Sequence, residues 1–361
     1  MSFTKTLFIV SAFLPLIATL IPFSRNSHWT TRGFDFPRFQ IFVCLVAVFF
    51  VHLLVFHENI FDTALLVLIV IAAGWQAYSI FPFTPLASKH VLDSDTPHPD
   101  NTISFVVSNV LQTNRNAEGL LEIIAKTDPD IILTLETDRW WEEQLSRLEQ
   151  EYSYSCKCPQ DNLYGMHVFS ALPISDERIE FLVEQYVPSI HASFTLKNGV
   201  KLQAHFLHPA PPSPSENTYS SERDAELIVV AKKIAKSKQP ILVSGDLNDV
   251  AWSYTTRLFR KISGLLDPRI GRGMFNTFHT KYWFARWPLD HMFHSEHFTL
   301  HKITRLACIG SDHFPLLTTL VYEPKSQDSH VDADKEDKKT ADHLTQKESV
   351  TTHDVPKPST Q

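Results

Sequence analysis

The chain has few cysteines, and their spacing does not match a zinc site. Only Cys44, Cys156, Cys158 and Cys308 occur among the 361 residues. A zinc site usually needs two close cysteine pairs, or one pair with histidines at a fixed spacing. Cys156 and Cys158 have no second pair, so we exclude such a site. We expect two thiols on the solvent side, with a strained local disulfide as the alternative.

The chain also lacks an excess of positive charge. Its formal net charge is −7, and residues 91–323 carry 22 basic and 29 acidic side chains. A protein that binds nucleic acid tightly normally has a basic surface, so the composition disfavours nucleic acid as a partner. An acidic domain suits a site that collects a divalent cation. Large apolar residues are scarce in residues 324–361, which we predict to be a disordered hydrophilic tail.

Charge is absent from three apolar runs near the amino terminus, at residues 7–23, 40–57 and 63–82. Each approaches the ~17–25 residues that a membrane-spanning helix needs. We predict a membrane region at residues 1–83 with about three transmembrane helices, followed by a proline-containing linker at 84–100. A signal peptide is the alternative for the first run, because Lys5 precedes it. A buried hairpin of a soluble protein is the alternative for the other two.

The charges beside these runs give conflicting indications of orientation. Arg25, Arg32 and Arg38 lie between the first two runs, which favours a cytoplasmic position for that loop and for the C-terminal domain. Lys5 favours the opposite orientation. We predict an integral membrane protein of the bacterial inner (cytoplasmic) membrane, and the side of the C-terminal domain stays open.

Residues 101–323 have the hydrophobic pattern of an α/β domain. The pattern predicts helices at 118–126, 140–150 and 221–236. It predicts strands at 103–107, 130–135, 164–169, 188–196, 200–208, 239–243, 289–293 and 315–322. Because strands outnumber helices and helices stand between many of them, we predict two packed sheets flanked by helices.

Acidic and amide side chains follow two of these strands. Glu136 ends an aliphatic run, where its carboxylate could bind Mg²⁺ or Mn²⁺, since both cations prefer oxygen ligands. The alternative is a solvated residue after a strand. Asp246 and Asn248 lie in a turn after a buried strand, where the carboxylate could orient water or metal and the amide could donate to a phosphoryl oxygen. The alternative is ordinary turn chemistry.

Two histidines stand where a hydrolytic reaction would need them. His313 is a suitable general base, and Asp290 is the candidate partner for its second ring nitrogen. Asp312 would then be free to bind metal. His208 ends an alternating strand and could protonate, or hydrogen-bond to, a departing oxygen. Asn109 ends the first strand and could contact phosphate or orient a neighbouring side chain. We interpret His291 as structural, and for Arg223 a phosphate contact and an exposed helix position both stay open.

These residues, in this order, resemble the endonuclease/exonuclease/phosphatase superfamily. The matching segments are 108–110, 129–136, 207–209, 245–248, 289–291 and 311–313. The resemblance implies a four-layer αββα sandwich at 101–323, a Mg²⁺ or Mn²⁺ cofactor, and the roles given above. The implied site contains Asn109, Glu136, His208, Asp246, Asn248, Asp290, Asp312 and His313. The chain departs from the superfamily at Leu135, where glutamine is usual, and at Ala171, where a basic residue is common.

The predicted spans indicate the membrane-anchored branch of this superfamily, which includes proteins similar to teicoplanin-resistance proteins. We therefore expect a membrane-anchored, divalent-metal-dependent phosphoester hydrolase whose water is activated by a His–Asp pair. Its expected substrate is a phosphoester, with lipid-linked esters as one class. The alternatives are a DNA endonuclease or exonuclease of the same fold, or an inactive membrane-bound binding module. The aromatic segment 282–287 could contact a lipid or a base, or pack as an ordinary loop.

Overall fold

Three long helices open the chain, and a sandwich of two β-sheets follows them. In this computed structural model, residues 3–55, 59–94, 97–235, 237–324 and 332–356 are described. The helices are α1 (Phe3–Leu20), α2 (Trp29–Arg32), α3 (Arg38–Val55), α4 (Ile60–Ile80), α5 (Ala117–Thr127), α6 (Arg139–Leu145), α7 (Ser221–Ile234), α8 (Tyr254–Ser263) and α9 (Lys335–Lys347).

Eleven strands among the described residues form the two sheets. They are β1 (Thr102–Asn109), β2 (Ile131–Leu135), β3 (Tyr154–Cys158), β4 (Met166–Ser170), β5 (Ile174–Glu180), β6 (Ser189–Thr195), β7 (Lys201–Phe206), β8 (Ile241–Asp246), β9 (Asp290–His294), β10 (Phe298–Arg305) and β11 (Leu316–Tyr322). One sheet has the strand order β10-β11-β1-β2-β4-β3, and the other has the order β5-β6-β7-β8-β9.

The sandwich has four layers because each sheet is apolar on both faces. Phe105 and Leu133 of the first sheet share one buried core with Phe206 and Leu242 of the second. Helices α5 and α6 cover the outer face of the first sheet, and α7 and α8 cover the outer face of the second. The predicted arrangement of two sheets flanked by helices is therefore present.

The topology gathers strand ends at one edge of the sandwich. β1 and β2 are parallel, as are β7 and β8, so the carboxyl ends of each pair lie together. β9 runs antiparallel to β8 and β11 runs antiparallel to β1, so these two strands begin where the others end. Residues just after four strands and just before two others therefore meet, although they lie far apart in sequence.

Several elements differ from the sequence prediction. The pattern did not indicate β3, β5, β10 or α8. The central residues of β5 are exposed and polar, and a shift of register interrupts β10, so neither strand has a clean alternation. Cys156, expected on the solvent side, is buried between the sheets beside Met166 and Val168. It is a free cysteine, as is Cys158.

The predicted disordered tail also differs, because part of it forms α9. Asp334 and Asp337 make a capping box at the start of this helix. Ala341 and Val350 pack into the core beneath α7 and α8, and Lys261 donates to Asp337 at 2.9 Å. A few small apolar residues on one face, with ion pairs around them, are enough to hold a charged segment against the domain. Residues 325–331 and 357–361 of the predicted tail lie outside the described residues.

The N-terminal helices give only partial support to three membrane spans. One helical stretch, Ile60–Phe83, is long and apolar enough to cross a membrane. The pair Trp29–Asp35 and Arg38–Leu54 meets the criterion only as one span bent by 68°, and Ile9–Ser24 is a shorter apolar helix. Ala12, Leu45 and Ile69 form a buried core among α1, α3 and α4, which we call the helical bundle.

The helical bundle contacts the sandwich through the segment between α1 and α3. Arg32 donates to Asp224 of α7 at 3.0 Å, and Trp252 donates from its indole nitrogen to the carbonyl of Asp35 at 2.8 Å. Arg38 pairs with Asp35 at 2.6 Å. Two of the three loop arginines are thus neutralised inside the protein, which weakens the charge argument for orientation. The predicted linker is also packed, since Val91 lies in the core between the sheets.

Candidate active site

Eight polar side chains from six strand ends were predicted to form the site, and the structure brings them to the same edge of the sandwich. Asn109 ends β1 and Glu136 follows β2. Asp246 ends β8 and Asp290 begins β9. The edge at which β1, β2 and β8 end and β9 begins thus unites residues from both sheets, as the strand directions dictate.

Asn109 connects the two sheets at the centre of the site. Its side-chain amide donates to Oε1 of Glu136 at 2.7 Å and to Oδ2 of Asp246 at 3.2 Å. Its own carbonyl accepts a hydrogen bond from Ser311 Oγ at 2.8 Å. Asn109 is almost fully buried, so its amide holds two carboxylates in fixed positions. Of the two roles that the sequence suggested for Asn109, these contacts fit the orientation of neighbouring side chains.

Asp290, His313 and Asp246 form a buried chain of polar contacts. His313 Nδ1 lies 2.7 Å from Oδ2 of Asp290, and its Nε2 lies 3.4 Å from Oδ2 of Asp246. Potential ligand atoms of the three residues lie within 4.8 Å of one another, a spacing compatible with a metal ion. Both ring nitrogens already face carboxylates, however, so the geometry fits a hydrogen-bonded triad better than a metal site at this point.

The carboxylates beside His313 favour the protonated, positively charged form of its ring. Burial opposes protonation of its ring, but the adjacent Asp290 and Asp246 carboxylates outweigh burial and raise the pKa of His313 to about 10. Burial raises the pKa of Asp290, and the proximity of Asp246 adds to this effect. Burial also opposes ionisation of Asp246, but His313 and His208 hold its pKa below the usual value. The triad therefore binds one proton strongly at the His313 ring.

Glu136 stands at a strained turn and faces other acids. Its φ is 61°, a left-handed conformation that is uncommon for a residue other than glycine. Burial raises the pKa of its carboxyl to about 7, and the nearby Asp312 and Asp246 carboxylates also raise this pKa. The hydrogen bond from Asn109 acts in the opposite direction and lowers it. Such a cluster of carboxylate oxygens suits Mg²⁺ or Mn²⁺, which would offset the mutual repulsion. Glu136 and the half-buried Asp312 are the residues that would hold the ion.

His208 is buried beside the triad and is neutral. Its ring lies 5.3 Å from the ring of Tyr164, and burial lowers its pKa to about 4 despite the nearby Asp246 carboxylate. Of the two predicted roles, hydrogen bonding therefore fits better than proton donation by a charged ring. Nδ1 of His208 is buried and has no hydrogen-bond partner among the described residues. Such a nitrogen is available to a substrate that enters the site.

Asn248 shapes the loop after β8. Its backbone N–H donates to Oδ1 of Asp246 at 2.9 Å, and its side-chain amide donates to the carbonyl of Pro209 at 3.1 Å. The structure therefore places Asn248 next to Asp246 with part of its donor capacity used by the protein. Its carbonyl accepts from Arg223 at 2.7 Å. Arg223 is buried in an ion pair with Asp224, so a structural role fits it better than a phosphate contact.

Residues beside the site escaped the sequence analysis because nothing in their spacing distinguishes them. The Phe278 ring centre lies 5.0 Å from that of His313. The guanidinium groups of Arg286 and Arg305 lie over the Phe314 ring, at 5.1 and 4.3 Å from its centre. These two arginines provide positive charge next to the residue that follows His313. As predicted, His291 has a structural environment, with Nε2 at 2.8 Å from the carbonyl of Asp249.

Comparisons with known proteins agree with this fold. The profile described as "Endonuclease/Exonuclease/phosphatase family" matches residues 106–313. TDP2 from D. rerio, solved with a single-strand DNA product, is similar to the chain with a TM-score of 0.52 and 19% identity, over 61% of this chain and 99% of that one. The human Nocturnin catalytic domain, solved with a sulfate anion, gives a TM-score of 0.51 and 16% identity, over 63% of this chain and 96% of that one.

A third solved structure, a family protein from Bacteroides thetaiotaomicron, gives a TM-score of 0.50 and 18% identity, over 66% of this chain and all of that one. At these identities the solved structures establish the fold alone. A comparison with curated protein sequences found no significant match.

Proposed function

Because the chain belongs to the endonuclease/exonuclease/phosphatase family, and is therefore a metal-dependent phosphoric ester hydrolase, we propose that it is a membrane-anchored enzyme that hydrolyses a lipid-linked phosphoester. In this proposal the Asp290–His313 pair activates the attacking water, and Mg²⁺ or Mn²⁺ is the cofactor. One observation carries the proposal. The side-chain amide of Asn109 donates hydrogen bonds to both Glu136 and Asp246, and these two carboxylates lie beside the Asp290–His313 pair.

The side chains can divide the work of phosphoester hydrolysis. When the His313 ring is neutral, its Nε2, which is directed toward Asp246, could accept the proton of a water held by that carboxylate as the water attacks phosphorus. Positive charge from a divalent cation near Glu136 would favour this neutral form of the ring. Asp290 fixes the orientation of the ring and stabilises its charged form. His208 and Asn248 would donate hydrogen bonds to phosphoryl or leaving oxygens. When bound, a divalent cation would neutralise the charge that develops on the phosphoryl oxygens.

Membrane anchoring is supported by the surface of the helical bundle. Large apolar side chains point outward from all three long helices, including Leu14, Phe50 and Ile71. Such a surface is unstable in water and stable in lipid. The contact of Arg32 with Asp224 holds the α1–α3 segment against the sandwich. If α1, α3 and α4 each cross the membrane, the α1–α3 segment and the sandwich lie on the same side of it. This arrangement agrees with the contact between Arg32 and Asp224.

A nuclease is the second candidate, because TDP2 from D. rerio was solved with a DNA product. The acidic balance of residues 91–323 argues against it, since phosphate-rich polymers bind to basic surfaces. Ala171 also stands where a basic residue is common in the superfamily. The cationic pair Arg286 and Arg305 covers a small area and would suffice for one phosphate group.

The proposal is tested with the full chain in nanodiscs. Release of phosphate or alcohol is followed from a panel of lipid phosphoesters and from plasmid DNA, with Mg²⁺ and with EDTA. We expect metal-dependent release from a lipid ester that is lost in His313→Ala. Faster cleavage of DNA would favour the nuclease. A folded, metal-binding chain that cleaves neither would favour a binding module and contradict the proposal.

A further inference from the structure

A groove of about 640 Å³ lies between α1 and α3 of the helical bundle. Its walls are mainly apolar and include Leu14, Ile17, Ala18, Cys44, Ala47 and Val48. Its volume is within the range of small-ligand sites. Since α1 ends and α3 begins at the segment that contacts the sandwich, the groove lies in the half of the bundle nearest to the candidate active site.

Gln40 connects this groove to the sandwich. It lines the groove, and its side-chain amide donates to the carbonyl of Phe284 at 2.7 Å. Its Oε1 is buried and accepts no hydrogen bond from any described residue. A buried acceptor without a donor is costly, and a hydroxyl group of a bound molecule would satisfy it. Gln40 thus marks the polar end of an otherwise apolar groove.

Phe284 belongs to an aromatic loop, residues 281–287, whose base is attached to the active site. The N–H of Thr280 donates to the carbonyl of Asp312 at 2.8 Å, and its hydroxyl donates to the carbonyl of Ser311 at 2.7 Å. The preceding Phe278 packs against His313. The aromatic loop therefore reaches from the catalytic histidine segment to the mouth of the groove.

The surface of the aromatic loop has the character of a membrane interface. Trp283 is 79% exposed, and Tyr282 and Phe284 are exposed as well. Lys281 lies over the Tyr282 ring, and Arg286 bonds to the carbonyls of His279 and Thr280. Exposed aromatic rings with basic side chains are typical of protein surfaces at the level of lipid headgroups. A lipid bound at such a surface would have its phosphate near the site and its chains toward the bundle.

We propose that the groove between α1 and α3 binds the hydrocarbon chain of the lipid phosphoester whose phosphate is hydrolysed at the site. This inference rests on the proposed function and adds the subsite that selects the substrate. A hydrocarbon chain fits because the walls offer few polar partners, because the groove opens on the lipid-facing surface of the bundle, and because its polar end is joined to the aromatic loop. Gln40 would accept a hydrogen bond from the polar part of the lipid.

The test uses two pairs of esters that differ only in chain length. One pair is p-nitrophenyl hexadecyl phosphate and p-nitrophenyl methyl phosphate, and the other is hexadecyl phosphate and methyl phosphate. The full chain in phosphatidylcholine nanodiscs with Mg²⁺ is compared with Ala47→Trp, which fills the groove. Val70→Trp is the matched control, because Val70 is exposed on α4 and does not line the groove.

We expect Ala47→Trp to raise KM for the hexadecyl ester at least about tenfold, as when roughly two methylene groups lose their apolar contacts. The methyl ester should be hydrolysed as before, which also shows that the variant is folded. An equal effect of Val70→Trp, an equal effect on both esters, or no effect on either would overturn the groove proposal.

A second measurement separates failure of the groove from failure of the proposed function. Cys44 lines the groove as a free, exposed thiol, so its alkylation by N-ethylmaleimide, followed at this residue by mass spectrometry, reports on occupancy. The exposed Cys308 lies outside the groove and is the internal control. Hexadecylphosphonate should slow this alkylation at least about threefold, and methylphosphonate should not. Slower alkylation without hydrolysis of any ester would support lipid binding in the groove and contradict the proposed hydrolase activity. Unchanged alkylation would refute the groove, whatever the activity.

Discussion

The helical bundle and the sandwich bury similar side chains but expose different ones. Each has a core of leucine, isoleucine and other apolar residues that are almost fully buried. The bundle also exposes such residues, with Leu54 84% and Ile71 63% accessible. The sandwich exposes charged pairs, such as Arg147 with Glu118. The buried core of the helical bundle therefore does not show whether water or lipid surrounds it, whereas its exposed surface does.

The comparison also separates two kinds of function. In the proposed function the sandwich would hold the reacting groups, and the bundle with the aromatic loop would hold the rest of the substrate. Substitutions at the sandwich site should slow hydrolysis of every phosphoester. Substitutions in the bundle or the aromatic loop should slow hydrolysis of lipid esters alone.

The largest expected effect is that of His313→Ala. We expect kcat to fall by about 10²–10⁴-fold on hexadecyl and methyl esters alike, because the variant has no group to accept the proton of water. Initial rates with Mg²⁺ measure it. His343→Ala on α9, an exposed position remote from the site residues in sequence, should leave the rate unchanged. A loss confined to the hexadecyl ester would contradict the division between the two regions.

The next effect concerns the junction between bundle and sandwich. Asp224 accepts from Arg32 and Arg223, and all three side chains are buried. Asp224→Ala leaves two buried cations without this partner, so we expect the free energy of unfolding to fall by about 3–5 kcal/mol. Chemical denaturation in a mild detergent measures the change.

Asp342→Ala provides the control for that junction. Its pair with Lys232 is exposed, and its loss should cost less than about 1 kcal/mol. Equal effects of the two substitutions would mean that the bundle and the sandwich are not joined through Asp224.

A smaller effect should depend on pH and belong to the sandwich. Burial raises the pKa of Glu226 in α7 from 4.5 to about 8, and the nearby Glu184 contributes. Between these values the folded chain keeps a proton that the unfolded chain has lost, so ionisation favours unfolding. Stability should therefore fall as pH rises from 4.5 to about 8. Glu226→Gln should remove most of this loss, because glutamine does not ionise, as measured by denaturation at several pH values. An unchanged pH dependence would refute the buried, protonated carboxyl.

The smallest effect is expected from Trp283→Ala in the aromatic loop. Removing one exposed ring from the lipid interface should raise KM for the hexadecyl ester about threefold, since such a contact is worth about 0.7 kcal/mol. KM for the methyl ester should not change. Tyr154→Ala, which removes an exposed ring from β3, is the control. A similar increase in that control would show that the effect is not specific to the aromatic loop.

The sequence was sufficient to predict the regular part of the fold and to single out polar residues that lie together at one edge of the sandwich. Buried strands such as β1 and β2 are continuous apolar runs that end at polar residues, so Asn109 and Glu136 stand out. Parallel strand pairs then bring such ends together. Edge elements were less visible, because β5 is polar and exposed along its middle. α9 is held by a few contacts that no local pattern reveals.

The chemistry of individual side chains was harder to predict, because it depends on neighbours that are distant in sequence. His208 and His313 are both buried at the site, yet the pKa of the first falls to about 4 and that of the second rises to about 10. The difference arises because two carboxylates face the ring of His313, and one of them, Asp246, is 67 positions away. Arg286 and Arg305 were missed for the same reason.

The central claim is that an enzyme anchored in a membrane acts on a phosphoester in that membrane. Its most direct test compares hydrolysis of one hexadecyl phosphoester in two settings, with Mg²⁺ present. In the first, the ester and the full chain share a nanodisc, and in the second they occupy separate nanodiscs. We predict a rate at least about tenfold higher in the shared nanodisc, which reflects the high local concentration of the ester. Equal rates in the two settings would contradict the account.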